Sequence, residues 1–126
     1  MKTQKLIGIL AIALGVAIFV SVPAWANQSE TKIEAPENAD KGSEITIKIT
    51  VIHSANNYFH HTEWLWVQVT GKEIATWEYS SGNRPEGSTF TKEIKFKVDS
   101  DLDIKSKASC NIHGSANDAV AKVTAK

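Results

Sequence analysis

The sequence is poor in cysteine, methionine and proline, and it has no excess of either charge. Its 126 residues include one cysteine, one methionine and three prolines, and 14 basic residues balance 14 acidic ones. A single cysteine excludes an internal disulfide and a four-cysteine metal module. The balanced charge argues against nucleic acid as a partner. No segment keeps a helical apolar stripe for long, so the pattern also excludes a helical bundle.

The longest hydrophobic run lies at the N-terminus. Two lysines precede the apolar stretch 6–22, and Ala-Trp-Ala follows at 24–26. This order is typical of a secretory signal peptide. We predict a helical signal peptide over 1–26, cleaved on export, and a mature domain over 27–126 that is periplasmic or secreted. An uncleaved signal would give the only membrane contact that we expect. The mature part keeps 12 basic and 14 acidic residues, a net charge of −2.

Beyond a polar entry segment at 27–44, apolar and polar residues alternate with period two. The clearest runs read ITIKITV at 45–51, EWLWVQV at 63–69 and TFTKEIKFKV at 89–98. This period is typical of half-buried strands. Shorter candidates at 72–80, 104–110 and 119–125 are separated from these runs by turn sequences such as SSGNRPEG. About seven strands in one domain predict an antiparallel, immunoglobulin-like β-sandwich.

Every histidine and the cysteine fall at predicted strand ends or in loops. His53 ends one strand, His60 and His61 open the next, and Cys110 stands three positions before His113. A sandwich gathers its loops at two ends, where binding chemistry is common. Imidazole and thiolate together suit iron, copper or zinc rather than magnesium or calcium. The pattern also fits surface histidines with a buried cysteine, and residue spacing leaves both interpretations open.

Two motifs resemble one known family. The sequence CNIHG at 110–114 resembles the iron-binding signature of the superoxide reductases, the desulfoferrodoxin and neelaredoxin family. HSANNYFHHTEWLWV at 53–67 is similar to that family's upstream segment, with two histidines ahead of a tryptophan. The resemblance spans 42–123. It implies an immunoglobulin-like sandwich and a mononuclear iron with four histidine nitrogens and one cysteine sulfur. It also implies superoxide as the substrate and hydrogen peroxide as the product.

The resemblance carries four ligands over to this chain: His53, His60, Cys110 and His113. Cys110 would be the electron-donating axial thiolate and the catalytic residue, and the three histidines would fix the ion and tune its potential. The connection after His53 is one residue longer than usual, which leaves His61 as an alternative to His60. Neighbouring strand residues point to opposite faces, and the motif position favours His60. Since the chain has no rubredoxin-like module, an external electron donor is implied.

The family's fifth ligand has no counterpart. It belongs to a Glu-Lys-His-Val-Pro motif ahead of the first long strand, where this chain reads TKIEAP at 31–36. Alignment on Pro36 puts Glu34 at the histidine position, so Glu34 either supplies an oxygen or is a solvated carboxylate. The motif's glutamate and lysine are lost with it. We therefore expect superoxide capture to be slowed, because a local cation steers an anion.

Three other classes stay open. A cupredoxin-like copper protein would use a distant histidine with the Cys-x-x-His turn, but its axial methionine is missing because Met1 is the only methionine. A metal-binding or sensing module, with iron or zinc, would need no turnover. The last class is an interaction domain without a metal, presenting the aromatic side chains of Trp64, Trp66 and Trp77. Tryptophans at alternate strand positions more often pack on a sheet face.

Overall fold

A computed structural model describes residues 16–19, 28–116 and 118–126, and nine strands lie within them. These strands are β1 Val16–Phe19, β2 Glu30–Pro36, β3 Asn38–Ala39, β4 Glu44–Ile52, β5 Thr62–Val69, β6 Lys72–Glu78, β7 Thr89–Lys97, β8 Leu102–Cys110 and β9 Ala119–Ala125. One sheet has the order β1-β2-β4-β7 and the other the order β3-β9-β8-β5-β6. The predicted β-sandwich is confirmed. All pairs are antiparallel except the short β3–β9 pair, which is parallel.

The core lies between the two sheets and follows the period-two pattern. Every second residue of β4 is buried, from Ile45 to Val51, while the intervening polar residues are more exposed. Leu65 and Val67 of β5 and Ile104 of β8 face them and are fully buried. Side chains from two inner faces that interdigitate in this way form the core of a sandwich.

The polar entry segment predicted over 27–44 contains a core strand. Thr31, Ile33 and Ala35 of β2 are buried, and β2 pairs along β4 with Glu30 opposite Ile52. Ile33 is the only large aliphatic side chain in this segment, and Ala35 is small, so the alternation is too sparse to predict a strand. Thr31 is satisfied in the core by the Ser106 hydroxyl, at 2.7 Å from Oγ1 to Oγ.

Most of the predicted signal peptide lies outside the described residues. The described part, Val16–Phe19, is a strand and not the expected helix, and it pairs antiparallel with residues 33–36 of β2. Extended pairing satisfies its backbone at the sheet edge, which a helix would do internally. Among the residues that the structure describes, no helix is long and apolar enough to cross a membrane. Cleavage after residue 26, as predicted, would remove β1 and leave β2 as the edge strand.

Candidate metal centre

Antiparallel pairing brings the predicted ligands to one end of the sandwich. His53 directly follows β4, His60 lies two residues before β5, and Cys110 is the last residue of β8. Thr62 at the start of β5 pairs with Cys110, so the β5 entry and the β8 exit are neighbours. His113 stands in the turn that follows β8. The end of β4 in one sheet, together with the start of β5 and the end of β8 in the other, therefore supplies all four side chains.

Three of these side chains form a compact cluster. The ligand atoms of His53, His60 and Cys110 lie within 4.8 Å of one another. The rings of His53 and His60 meet edge to face, with centroids 4.7 Å apart. Metal–nitrogen and metal–sulfur bonds of about 2.0–2.3 Å allow two ligands of one ion to be up to about 4.5 Å apart. The cluster thus has nearly the dimensions of a one-ion site.

His113 adjoins the cluster on its solvent side. Its Nδ1 lies 3.8 Å from the Cys110 sulfur, and its ring centroid is 5.1 Å from that of His60. Cys110 is only 2% exposed, whereas His113 is an exposed residue. The structure therefore brings His53, His60, Cys110 and His113 together, with a buried sulfur and one open flank.

The His60 ring has a buried nitrogen that suits a metal. Its Nε2 is buried, and no hydrogen-bond partner for it lies among the described residues. A buried polar atom without a partner costs free energy, unless a ligand satisfies it. The residues present therefore fit a bound ion at this point.

The turn after β8 shapes the surroundings of the cysteine sulfur. The backbone groups of Cys110 and Gly114 bond to each other in both directions, at 2.8 and 3.1 Å. Gly114 has φ +77°, a left-handed conformation that glycine adopts without strain. Inside this turn the N–H groups of Ile112 and His113 donate to the sulfur, at 3.4 and 3.3 Å. Two donors place partial positive charge beside the sulfur, which would stabilise a thiolate there.

His61 points away from the cluster. It is buried, and its ring Nδ1 lies 3.1 Å from the carbonyl oxygen of Asn57. Asn57 also builds the turn before it, because its Oδ1 accepts from the N–H groups of Phe59 and His60 at 2.9 and 3.0 Å. His61 therefore anchors the loop that carries His60, and only His60 of the two lies in the cluster.

Glu34 is not brought to the cluster. It is exposed in β2 and pairs with Lys48, whereas the part of β2 next to His53 is its start, where Glu30 pairs with Ile52. At about 3.3 Å per residue, Glu34 lies roughly 13 Å along the strand from that end. The antiparallel register of β2 and β4 is the reason, and an alignment on Pro36 could not reveal it.

Two hydroxyl residues, unnoticed in the sequence, support His53 instead. Ser29 precedes β2 and is fully buried, and its Oγ lies 2.8 Å from Thr62 Oγ1. Thr62 Oγ1 lies in turn 3.4 Å from His53 Nδ1. Ser29 is also tied to the cysteine turn, since its N–H donates to the Gly114 carbonyl at 3.3 Å. Serine and threonine at strand starts are too common for the sequence to single these two out.

The fold and this site define a β-sandwich protein with an imidazole–thiolate cluster at one end. The family model described as desulfoferrodoxin matches residues 25–117. The chain belongs to the desulfoferrodoxin family, as its two motifs predicted. No curated protein matches the chain by sequence.

Solved structures resemble this chain in fold. A variant of the superoxide reductase (neelaredoxin) from Ignicoccus hospitalis matches with a TM-score of 0.65 and 18% identity, over 80% of this chain and 83% of that one. A variant of the superoxide reductase (neelaredoxin) from Archaeoglobus fulgidus, in the reduced form, matches with a TM-score of 0.55 and 21% identity, over 82% and 97%. The sulfur carrier protein SoxY from Chlorobium limicola matches with a TM-score of 0.57 and 13% identity, over 99% of both chains. Identities this low establish the fold alone, so function must be argued from the cluster.

Proposed function

We propose that this protein is a mononuclear non-haem iron protein of superoxide-reductase type, which reduces superoxide to hydrogen peroxide. The observation that carries the proposal is the gathering of His53, His60, Cys110 and His113 at one end of a desulfoferrodoxin-family sandwich. The metal ligands would be these four residues, with His61 and Glu34 outside the set.

The donor set favours iron, with copper or zinc as competitors. Imidazole nitrogens and a thiolate suit all three metals, and the charge that a thiolate donates would favour redox turnover at iron. Bound ferrous iron would supply one electron to superoxide, which takes up two protons and leaves as hydrogen peroxide. The electron would come from an external donor, because a single cysteine excludes a four-cysteine, rubredoxin-like module in this chain.

Each side chain has a role that follows from its place. His53 and Cys110 are buried and would hold the ion on its inner side, away from water. The two N–H donors from Ile112 and His113 would stabilise charge on the Cys110 sulfur. Exposed His113 would border the side from which superoxide enters. Solvent on that side is the source of the two protons.

The loops around this open side supply a surface for an electron donor. Tyr58 and Phe59 precede His60 and are 60% and 76% exposed, and Ile112, beside His113, is 56% exposed. The rings of Tyr58 and Phe59 meet with centroids 5.2 Å apart, and contiguous exposed apolar surface commonly marks a protein contact site. An external donor that docks here would come close to the ligands. The signal peptide proposed over 1–26 would export the protein, so that this donor is periplasmic or extracellular.

A metal-binding or electron-transfer module without turnover is the second candidate. It is favoured by one observation: the cluster and the adjoining His113 together offer three imidazoles, while the ring of His61, the remaining histidine of the chain, contacts the Asn57 carbonyl in the loop. Four ligands, one fewer than the family resemblance implies, leave a less defined geometry for iron. Nitrogen and sulfur ligands also suit zinc or copper.

The deciding experiment is peroxide stoichiometry. Iron-loaded protein is mixed with a known amount of superoxide in the presence of a reductant, and hydrogen peroxide is counted. A reductase yields one peroxide per superoxide, and its yield depends on the reductant. A dismutase yields one peroxide per two superoxide and needs no reductant. If superoxide disappears no faster with the iron-loaded protein than with the iron-free protein, the proposal is contradicted and the module without turnover is favoured.

A further inference from the structure

The side chain of Asn111, the residue after Cys110, spans the gap to the loop that carries His60. Its Oδ1 accepts from the His61 N–H at 2.9 Å, and its Nδ2 donates to the Phe59 carbonyl at 3.1 Å. Its backbone N–H also donates to the His61 carbonyl, at 3.0 Å. Three hydrogen bonds thus join the cysteine turn to the two neighbours of His60.

The two side-chain bonds bracket His60. One carboxamide bonds the carbonyl before this residue and the N–H after it, as the N–H and C=O of a single residue do in a parallel ladder. Both peptide groups that flank the His60 Cα are therefore fixed to the residue next to Cys110. The direction in which the His60 side chain leaves the backbone is set relative to the cysteine sulfur.

We infer that Asn111 is a positioning residue, which holds His60 at metal-binding distance from Cys110 through its side-chain amide. The inference rests on the proposed metal site and does not depend on superoxide turnover. Only asparagine offers a donor and an acceptor at this reach. Leucine has a similar shape and neither group, and alanine removes the amide without adding apolar bulk at an exposed position.

The loop does not depend on this side chain alone to fold. The backbone bond from the N–H of residue 111 to the His61 carbonyl is available to leucine and alanine as well, and the Asn57 turn closes the loop independently. We therefore expect variants at this position to fold and to differ in how His60 is held. Partners of metal ligands typically contribute about 10- to 100-fold in metal affinity.

The test is a double-mutant cycle on cobalt affinity. Cobalt(II) is titrated into the metal-free full chain by competition with a chelator, with its thiolate charge-transfer band as the signal. Four proteins form the cycle: the unaltered chain, Asn111→Leu, His60→Ala and the double variant. Asn38→Leu, at an exposed position in β3 at the opposite end of the sandwich, is the matched control. Asn111→Ala replaces the leucine variant should that chain fail to fold, and thermal unfolding without metal reports folding for each.

We expect Asn111→Leu to weaken cobalt binding about tenfold or more when His60 is present, and to have little further effect in the His60→Ala background. Asn38→Leu should leave affinity unchanged. Equal affinity of Asn111→Leu and the unaltered chain would overturn the inference, as would an undiminished loss in the absence of His60. An unaltered chain that binds no cobalt would overturn the metal site itself and the inference with it.

Discussion

Replacing Thr62 by valine removes the hydroxyl that stands between Ser29 and His53 and keeps the branched shape of the side chain. Thr62 is 1% exposed, and its Oγ1 lies 2.8 Å from Ser29 Oγ and 3.4 Å from His53 Nδ1. Because Ser29 is fully buried, its hydroxyl cannot turn to water in exchange. The substitution therefore removes the partner of the buried Ser29 hydroxyl and one contact of the His53 ring.

The expected cost comes mainly from Ser29. A buried hydroxyl that loses its partner destabilises the fold by about 1–3 kcal/mol, and the longer contact to His53 adds little. For a domain of this size, about 2 kcal/mol lowers the melting temperature by roughly 10 °C. Replacing both hydroxyl residues should cost less than the two single effects together, since Ser29→Ala removes the group that Thr62→Val leaves unpaired.

Urea unfolding of the metal-free proteins measures this directly. The set is the unaltered chain, Thr62→Val, Ser29→Ala and the double variant, with free energies from the midpoint and slope. We expect Thr62→Val to lower the free energy of unfolding, and the pair to show a coupling of about 1 kcal/mol. Thr62→Val with unchanged stability, or single effects that simply add, would refute the hydroxyl chain.

Other positions give sharper contrasts between neighbours. His60→Ala should weaken metal binding strongly. His61→Ala should keep one metal per chain and lower thermal stability, because His61 anchors the loop. Equal losses of metal affinity for the two variants, measured by competition with a chelator, would contradict this assignment. Gly114→Ala should lower the free energy of unfolding in urea by about 1 kcal/mol, because φ is +77° there while the surrounding space is open. Gly82→Ala is the control and should be nearly neutral, since Gly82 also lies in open space but has no positive φ. Ile47→Ala should cost about 2–5 kcal/mol in the same assay, because Ile47 is fully buried between the sheets, and a loss under about 1 kcal/mol would show a looser core.

Much of the fold could be predicted because alternation reports burial directly. Period two is strict in the run that became β4 and looser in the runs that became β5 and β7, and 119–125 became β9 with the same bounds. The start of the domain could not be predicted in this way. In β2 only Ile33 and Ala35 mark the buried face, and the third buried residue is Thr31, whose hydroxyl is paired with Ser106 across the core.

The gathering of the four predicted ligands follows from strand ends, which the sequence places well. The supports of the site depend on register, which the sequence hides. The register of β2 against β4 decides whether Glu34 or Ser29 lies beside His53. A shift of the register by one residue moves a side chain by about 3.3 Å along the strand. Asn111 is part of the CNIHG motif, but its side-chain bonds reach residues 50 and 52 positions away.

Metal content and optical spectrum test the central claim most directly. The protein is purified without oxygen, reconstituted with ferrous iron and compared with Cys110→Ala. We predict iron near one per chain and a thiolate-to-iron charge-transfer band that appears on oxidation and is absent from the variant. A protein that takes up no iron, or that shows the same spectrum with and without the Cys110 sulfur, would contradict a thiolate-bound iron centre in this chain.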